Sequence, residues 1–169
     1  RYHGEPLSQK ALMNLGKAIG ADVPFLIAGK AAVATGIGER LADAPKLPAL
    51  PLLLIFPGQA VSTAQVYRQM NLALTRNKRI DTKTIFELDW ESAAPKHLYN
   101  ALETSAMKLC PEIKVAKTAL IKAGAEGALM SGSGSAVFGI FRDSVKAGHA
   151  FQKLPGNCNW QIFQTRLLT

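Results

Sequence analysis

Cysteine is nearly absent. The two that occur in 169 residues, Cys110 and Cys158, lie far apart with no histidine or cysteine at metal-ligand spacing, so neither a disulfide framework nor a zinc site is indicated. Such sparing use fits a reducing cytoplasm. Aromatic residues are scarce too, at 7%. The apolar run over residues 136–141 lacks the basic-glycine-aromatic pattern that displays stacking rings on an RNA-recognition sheet, which speaks against nucleic acid as a partner. No apolar stretch approaches the roughly 20 residues that a membrane-crossing helix needs. The opening residues show no charged-then-apolar-then-small pattern of a signal peptide, so the chain reads as soluble. Acidic side chains are outnumbered twelve to twenty, and the resulting +8 suits a ligand that carries phosphate. The densest basic run, Arg76-Asn77-Lys78-Arg79, is followed by Asp81 and reads as a solvated connector.

What is present in abundance is small residues at one place. Ser131-Gly132-Ser133-Gly134-Ser135 lies between the apolar segments 128–130 and 136–141. A phosphate loop or a dinucleotide fingerprint needs a helix after its glycines, so that backbone N–H groups and the helix dipole meet the anion. Here a strand follows. The segment is expected to be the tip of a β-hairpin, serving either as a plain turn or as a place where backbone amides and hydroxyls approach a ligand or another glycine-rich loop.

Along the chain, Ser8 caps an expected helix to residue 19 with Ala11, Leu12, Leu15, Ala18 and Ile19 on one face. Residues 23–28 and 31–35 read as a β-hairpin turning at Gly29-Lys30, followed by a turn at Gly36-Ile37-Gly38-Glu39. Three prolines in the seven residues from Pro45 to Pro51 resist helix and central strand alike, placing a domain boundary that divides the chain into 1–43 and 44–169. Beyond it, residues 52–56 read as a strand buried on both faces or nearly so. A helix capped by Ser62 or Thr63 runs to residue 70, with further helices over 81–89, 94–109 and 111–123, the last with Pro111 at its first position and Gly124 as its stop. The glycine hairpin, a helix started by Asp143 or Ser144 and running to about residue 154, and a half-buried strand over 160–168 complete the chain. Strand, helices, strand, strand, helix, strand is the α+β, ferredoxin-like (split βαβ) order with a helical insertion, a fold that hosts many functions.

Asp22 stands at the joint after Gly20-Ala21, where a short carboxylate serves as a turn or cap residue or is aimed into a cleft. His3, His97 and His149 have no partner pattern and read as structural or exposed.

Several segments occur in a telling order. They are Gly20-Ala21-Asp22-Val23-Pro24-Phe25, Gly29, Gly36-Ile37-Gly38-Glu39, Pro57-Gly58 with Ser62-Thr63, Asn100-Ala101-Leu102-Glu103, Pro111-Glu112-Ile113, and Gly124-Ala125 leading to Met130-Ser131-Gly132-Ser133-Gly134-Ser135-Ala136-Val137-Phe138. In this set the chain resembles the diphosphocytidyl-methylerythritol kinases of the GHMP kinase superfamily. The resemblance implies ATP-dependent phosphorylation, with Mg²⁺, of a hydroxyl on the methylerythritol part of a cytidine diphosphate metabolite on the non-mevalonate route to isoprenoids. Asp22 then matches the catalytic aspartate, and Tyr67 an aromatic that stacks on the cytosine. Thr63 matches a polar position near the same group. Ser131, Gly132, Ser133, Gly134 and Ser135 match a glycine-rich motif that supports the phosphate-binding loop.

In that family the phosphate-binding loop, a lysine opposite the aspartate and the residues reading the ATP base would all precede Arg1. The expectation is a carboxyl-terminal portion, with residues 1–43 the end of the ATP-binding domain and 44–169 the second domain. Alone it should bind ATP poorly, its natural partner being the preceding part of the same enzyme. Two other readings stand beside this one: a different small-molecule kinase of the superfamily, such as one acting on homoserine, and a non-catalytic RNA- or ligand-binding ferredoxin-like module.

Overall fold

The computed structural model describes residues 4, 7–36, 38, 40–44, 48–70, 94–154 and 159–168. The expected helix over 81–89 and the basic run at 76–79 lie outside the described residues. The chain divides into two compact units, one of residues 1–48 with 168–169 and the other of residues 49–167.

In the first unit α1 (Gln9–Ile19) starts where the Ser8 hydroxyl accepts the N–H of Ala11, satisfying one of the helix's orphan donors. Its inward residue is Gly16, where an added Cβ would lie 2.9 Å from Val23 Cγ1, so the helix that follows packs unusually close. Leu12, Leu15 and Ile19, the stripe expected on one face, are all exposed. Residues 23–28 form not a strand but a short helix, α2 (Val23–Ala28). Val, Phe and Ile favour strands, yet Pro24 sits in the first turn, where its missing N–H costs nothing, and Gly29 closes the helix in the left-handed region with φ of 62°. The Gln9 side chain donates to the Ile27 carbonyl and ties the start of α1 to the end of α2. The hairpin of this unit is consequently one step later than expected. β1 (Ala32–Thr35) pairs antiparallel with β2 (Arg40–Asp43), so that the chain reverses between Thr35 and Arg40 rather than at Gly29-Lys30. The exposed ion pair of Lys30 with Asp43 at 2.6 Å joins its open end and holds the Asp43 carboxyl below its ordinary range.

The second unit is a four-stranded antiparallel sheet. Its strands are β3 (Pro51–Phe56), β4 (Gly127–Met130), β5 (Val137–Ile140) and β6 (Gln161–Arg166), in the spatial order β4-β5-β3-β6. Counted within this unit the order is 2-3-1-4, that of a split βαβ fold. Between β3 and β4 come α3 (Thr63–Gln69), α4 (Glu103–Leu109) and α5 (Glu112–Lys122), and between β5 and β6 comes α6 (Ser144–Lys153). α5 lies on β4 and β5, and α6 lies on β3 and β6. Leu53 and Ile55 of β3 are opposite Gly139 and Val137 of β5, so one face of the sheet carries the core with Val66, Ile113, Leu120, Met130 and Phe141. The other face of β3 is only half-buried through Leu52, Leu54 and Phe56, so the strand is less enclosed than its unbroken apolar run suggests.

The expected helix over 94–109 is broken. A 3₁₀ turn (Ala94–Lys96) and an irregular stretch precede α4. The break follows from Asn100, whose side-chain oxygen takes the N–H of Leu102 and so offers the backbone an alternative to continuous helix. No helix among the described residues is long and apolar enough to cross a membrane.

The register of β3 makes a direct test. Ile55→Ala, at a fully buried position, is expected to cost about 2–5 kcal/mol in urea unfolding, the range for deleting a buried aliphatic side chain. Leu54→Ala, on the half-buried face, should cost clearly less. Equal losses would mean that the two faces are not distinguished as described.

Candidate functional site

The Gly/Ser segment is the tip of the β4–β5 hairpin, closed by the N–H of Ser131 donating to the Ala136 carbonyl at 2.8 Å and by Gly134 N–H donating to Ser131 at 2.9 Å. Gly132 and Gly134 have φ of 55° and 87°. At Gly134 the constraint is also spatial, since an added Cβ would lie 2.7 Å from Met130 Sδ and 3.3 Å from Ile113 Cδ1. The loop is therefore not a free turn. Its far end packs on the core, while Ser131 and Gly132 remain exposed.

Hydrogen bonds hold both limbs. On the entry side the Asn100 amide nitrogen donates to the carbonyls of Met130 at 2.9 Å and Gly132 at 2.7 Å. Glu103 Oε1 accepts the Met130 N–H at 3.1 Å, and its other oxygen pairs with Lys117 of α5 at 2.7 Å. That pair is largely withdrawn from water, with 16% of the Glu103 side chain exposed and 30% of Lys117, so it is less screened than a surface pair. On the exit side the buried Ser135 hydroxyl donates to the Gln59 carbonyl, and Ser133 Oγ shares a 2.7 Å hydrogen bond with Thr63 Oγ1.

Thr63 is the first residue of α3, after the extended Ser62. Tyr67 lies one turn on, hence on the same side of the helix. It is 56% exposed, with its ring available, while its neighbour Val66 points into the core. A 2.7 Å contact thus joins Thr63 to the glycine loop, although seventy residues separate them.

Asp22 belongs to the first unit. It stands at the N-cap of α2 rather than before a strand, its backbone carbonyl accepting the Leu26 N–H. Its side chain makes no capping hydrogen bond and is exposed. Gly38 of the β1–β2 turn faces it, since a Cβ built there would lie 3.8 Å from Asp22 Oδ1. The absence of a side chain at Gly38 leaves that approach to the carboxylate open. Of the other histidines and thiols, His97 and His149 are exposed, and burial raises the Cys110 thiol above its usual range. Among the described residues no group of three or more His, Cys, Asp or Glu side chains comes together.

Asn100 and Glu103 are the residues whose role the sequence reading missed. Their spacing of three was visible, but a lone Asn-x-x-Glu is an ordinary helix-start pattern, and nothing local points it at residues 130–132.

Residues 78–159 match the family model described as GHMP kinases C terminal. A 4-diphosphocytidyl-2-C-methyl-D-erythritol kinase of Pelobacter propionicus is 43% identical over 154 residues, covering 91% of this chain and 54% of that protein. A crystal structure of 4-(cytidine 5'-diphospho)-2C-methyl-D-erythritol kinase superposes with a TM-score of 0.78 at 31% identity, over 99% of this chain and 60% of that one. A homoserine kinase from Cytophaga hutchinsonii gives 0.68 at 16% identity, over 98% of this chain and 60% of that one, a likeness of fold alone. The chain spans about half the length of the curated relatives it matches.

Two glycines of the loop should respond differently to substitution. Gly134→Ala combines positive φ with a clash in the core, and is expected to lose about 2–5 kcal/mol in urea unfolding, the backbone and overpacking costs together. Gly132→Ala has open space and should lose only the backbone term of about 1–2 kcal/mol. A greater loss at Gly132 would refute the packing described.

Proposed function

Since the chain belongs to the GHMP kinases, with relatives near 40% identity along most of it, we propose that it forms the carboxyl-terminal half of an ATP-dependent kinase. The acceptor is a hydroxyl on the methylerythritol part of a cytidine diphosphate metabolite. In this reading residues 1–43 end the ATP-binding domain and 44–169 make the second domain.

The observation that carries the proposal is the bond between Thr63 and Ser133. It brings the helix assigned to the cytidine end of the acceptor against the loop assigned to phosphate support, within one unit. Tyr67 supplies an exposed ring one turn from that contact, suited to stacking on a base. The +8 charge of the chain favours a diphosphate ligand and a triphosphate donor alike.

Asp22 is assigned as the catalytic carboxylate. Phosphoryl transfer is mostly positioning and charge stabilisation, and an exposed aspartate with an uncapped side chain can orient the acceptor hydroxyl. It accepts the hydroxyl proton as the new O–P bond forms and the bond to the departing ADP breaks. The described residues bring no cluster of ligating side chains together, so they form no dedicated Mg²⁺ cage. In this reaction class the metal is held chiefly by phosphate oxygens.

In the full-length enzyme Asp22→Asn is expected to lower kcat by about 10²- to 10⁴-fold, the range for a positioned acid or base, with nucleotide affinity nearly unchanged. Turnover at the unsubstituted rate removes Asp22 from the mechanism. Tyr67→Ala is expected to raise KM for the cytidine-bearing acceptor by about tenfold or more, as loss of one stacked base allows, and to abolish preference for cytidine over other bases. Indifference to the base in the unsubstituted enzyme would instead favour a different small-molecule acceptor.

A further inference from the structure

Asn100 is placed to decide the shape of the glycine loop. Its side chain offers two amide N–H donors and one carbonyl acceptor, and each meets a backbone partner: the carbonyls of Met130 and Gly132 and the N–H of Leu102. These partners settle which way the amide faces, because two carbonyl oxygens need donors and one N–H needs an acceptor. The two carbonyls flank Ser131, so a single side chain spans the residue at which β4 ends and the loop begins. Glu103 takes the Met130 N–H from the same side, leaving the backbone from Met130 to Gly132 held from one short segment.

The opposite limb is held through Ser133 and Ser135, by Thr63 and Gln59. Both attachments are to the segment that follows β3. The loop is thus strung between two anchors, and with Asn100 removed the entry anchor loses two bonds at once. The residue itself is half-buried and its side-chain hydrogen bonds go to backbone groups, which suits a group that acts through the loop rather than on a ligand.

We propose that Asn100 is a positioning residue for phosphoryl transfer, fixing the loop in the conformation in which Thr63 and Ser133 meet. The proposal rests on reading that loop as part of the kinase site. Asn100→Asp keeps the size of the side chain but replaces the donating nitrogen with an oxygen that faces two carbonyl oxygens. Asn100→Ala removes the bonds without that repulsion.

The test pairs hydrogen exchange with steady-state kinetics in the full-length enzyme, using both variants so that poor folding of one leaves the other. Amides of residues 131–135 are expected to exchange about tenfold faster or more, as loss of an ordinary hydrogen bond permits, while those of β3 and β5 keep their protection. The kcat should fall by about 10²-fold, the scale of a small misplacement near reacting groups, with KM for the cytidine-bearing acceptor changing by less than about threefold. A merely structural role would loosen β3 and β5 together with the loop and would not separate kcat from KM in this way. Unchanged loop exchange in a folded variant overturns the proposal, as does a loosened loop with turnover within about twofold of the parent. If the unsubstituted enzyme transfers no phosphoryl group to the acceptor, the functional reading fails, and with it the catalytic part of this proposal; the exchange data then decide only whether Asn100 holds the loop.

Discussion

The position of β3 in the middle of its sheet is the constraint on which the second unit depends. It pairs antiparallel with β5 on one side and β6 on the other. Because side chains alternate along a strand, a slip of one residue would turn Leu53 and Ile55 out of the core and expose them. Register is therefore strongly specified. With β5 held on β3, the β4–β5 hairpin has one place to go, and its tip is carried to where residues 59–63 leave the end of β3.

From there the glycine loop is set by small numbers of strong local constraints. Ser135 and Ser133 tie it to the segment after β3, Asn100 and Glu103 tie it to the start of α4, and Gly134 leaves no room for a side chain against Met130 and Ile113. In the proposed kinase reading, such a loop would meet the reaction with little reorganisation, as suits phosphoryl transfer, where most of the chemistry is positioning. The partly buried Glu103–Lys117 pair extends the support into α5. Its worth lies in orienting Glu103 toward the Met130 N–H more than in net stability, since desolvation offsets much of the attraction in a buried pair.

In the first unit the same economy of small residues appears in a different setting. Gly16 lets α1 and α2 pack closely, and Gly38 leaves the approach to Asp22 open. The apolar stripe of α1, by contrast, is exposed at Leu12, Leu15 and Ile19. A stripe of that kind is more apolar than a helix needs merely to face water.

Much of this was legible in the sequence because it depends on neighbours in the chain. Ser8 announced α1, Pro111 and Gly124 bracketed α5, and Asp143 began α6, since capping and turn chemistry act over three or four residues. The hairpin around Ser131 to Ser135 and the split βαβ order followed from apolar runs and glycine. Residues 23–28 misled because β-branched and aromatic side chains favour strands only weakly, and a proline in the first turn with a glycine at the end outweighed them. The broken helix before Glu103 and the clamp by Asn100 could not be read at all. The break itself is local, at the Asn100 side-chain oxygen and the Leu102 N–H, but the partners of the clamp are thirty and thirty-two residues away, at Met130 and Gly132, and a side chain's hydrogen-bond partners at that range exist only once the sheet has brought them together. What the sequence by itself determined was the elements whose stability is local; the tertiary structure alone decided which polar groups would meet, because that depends on distances the chain acquires only by folding.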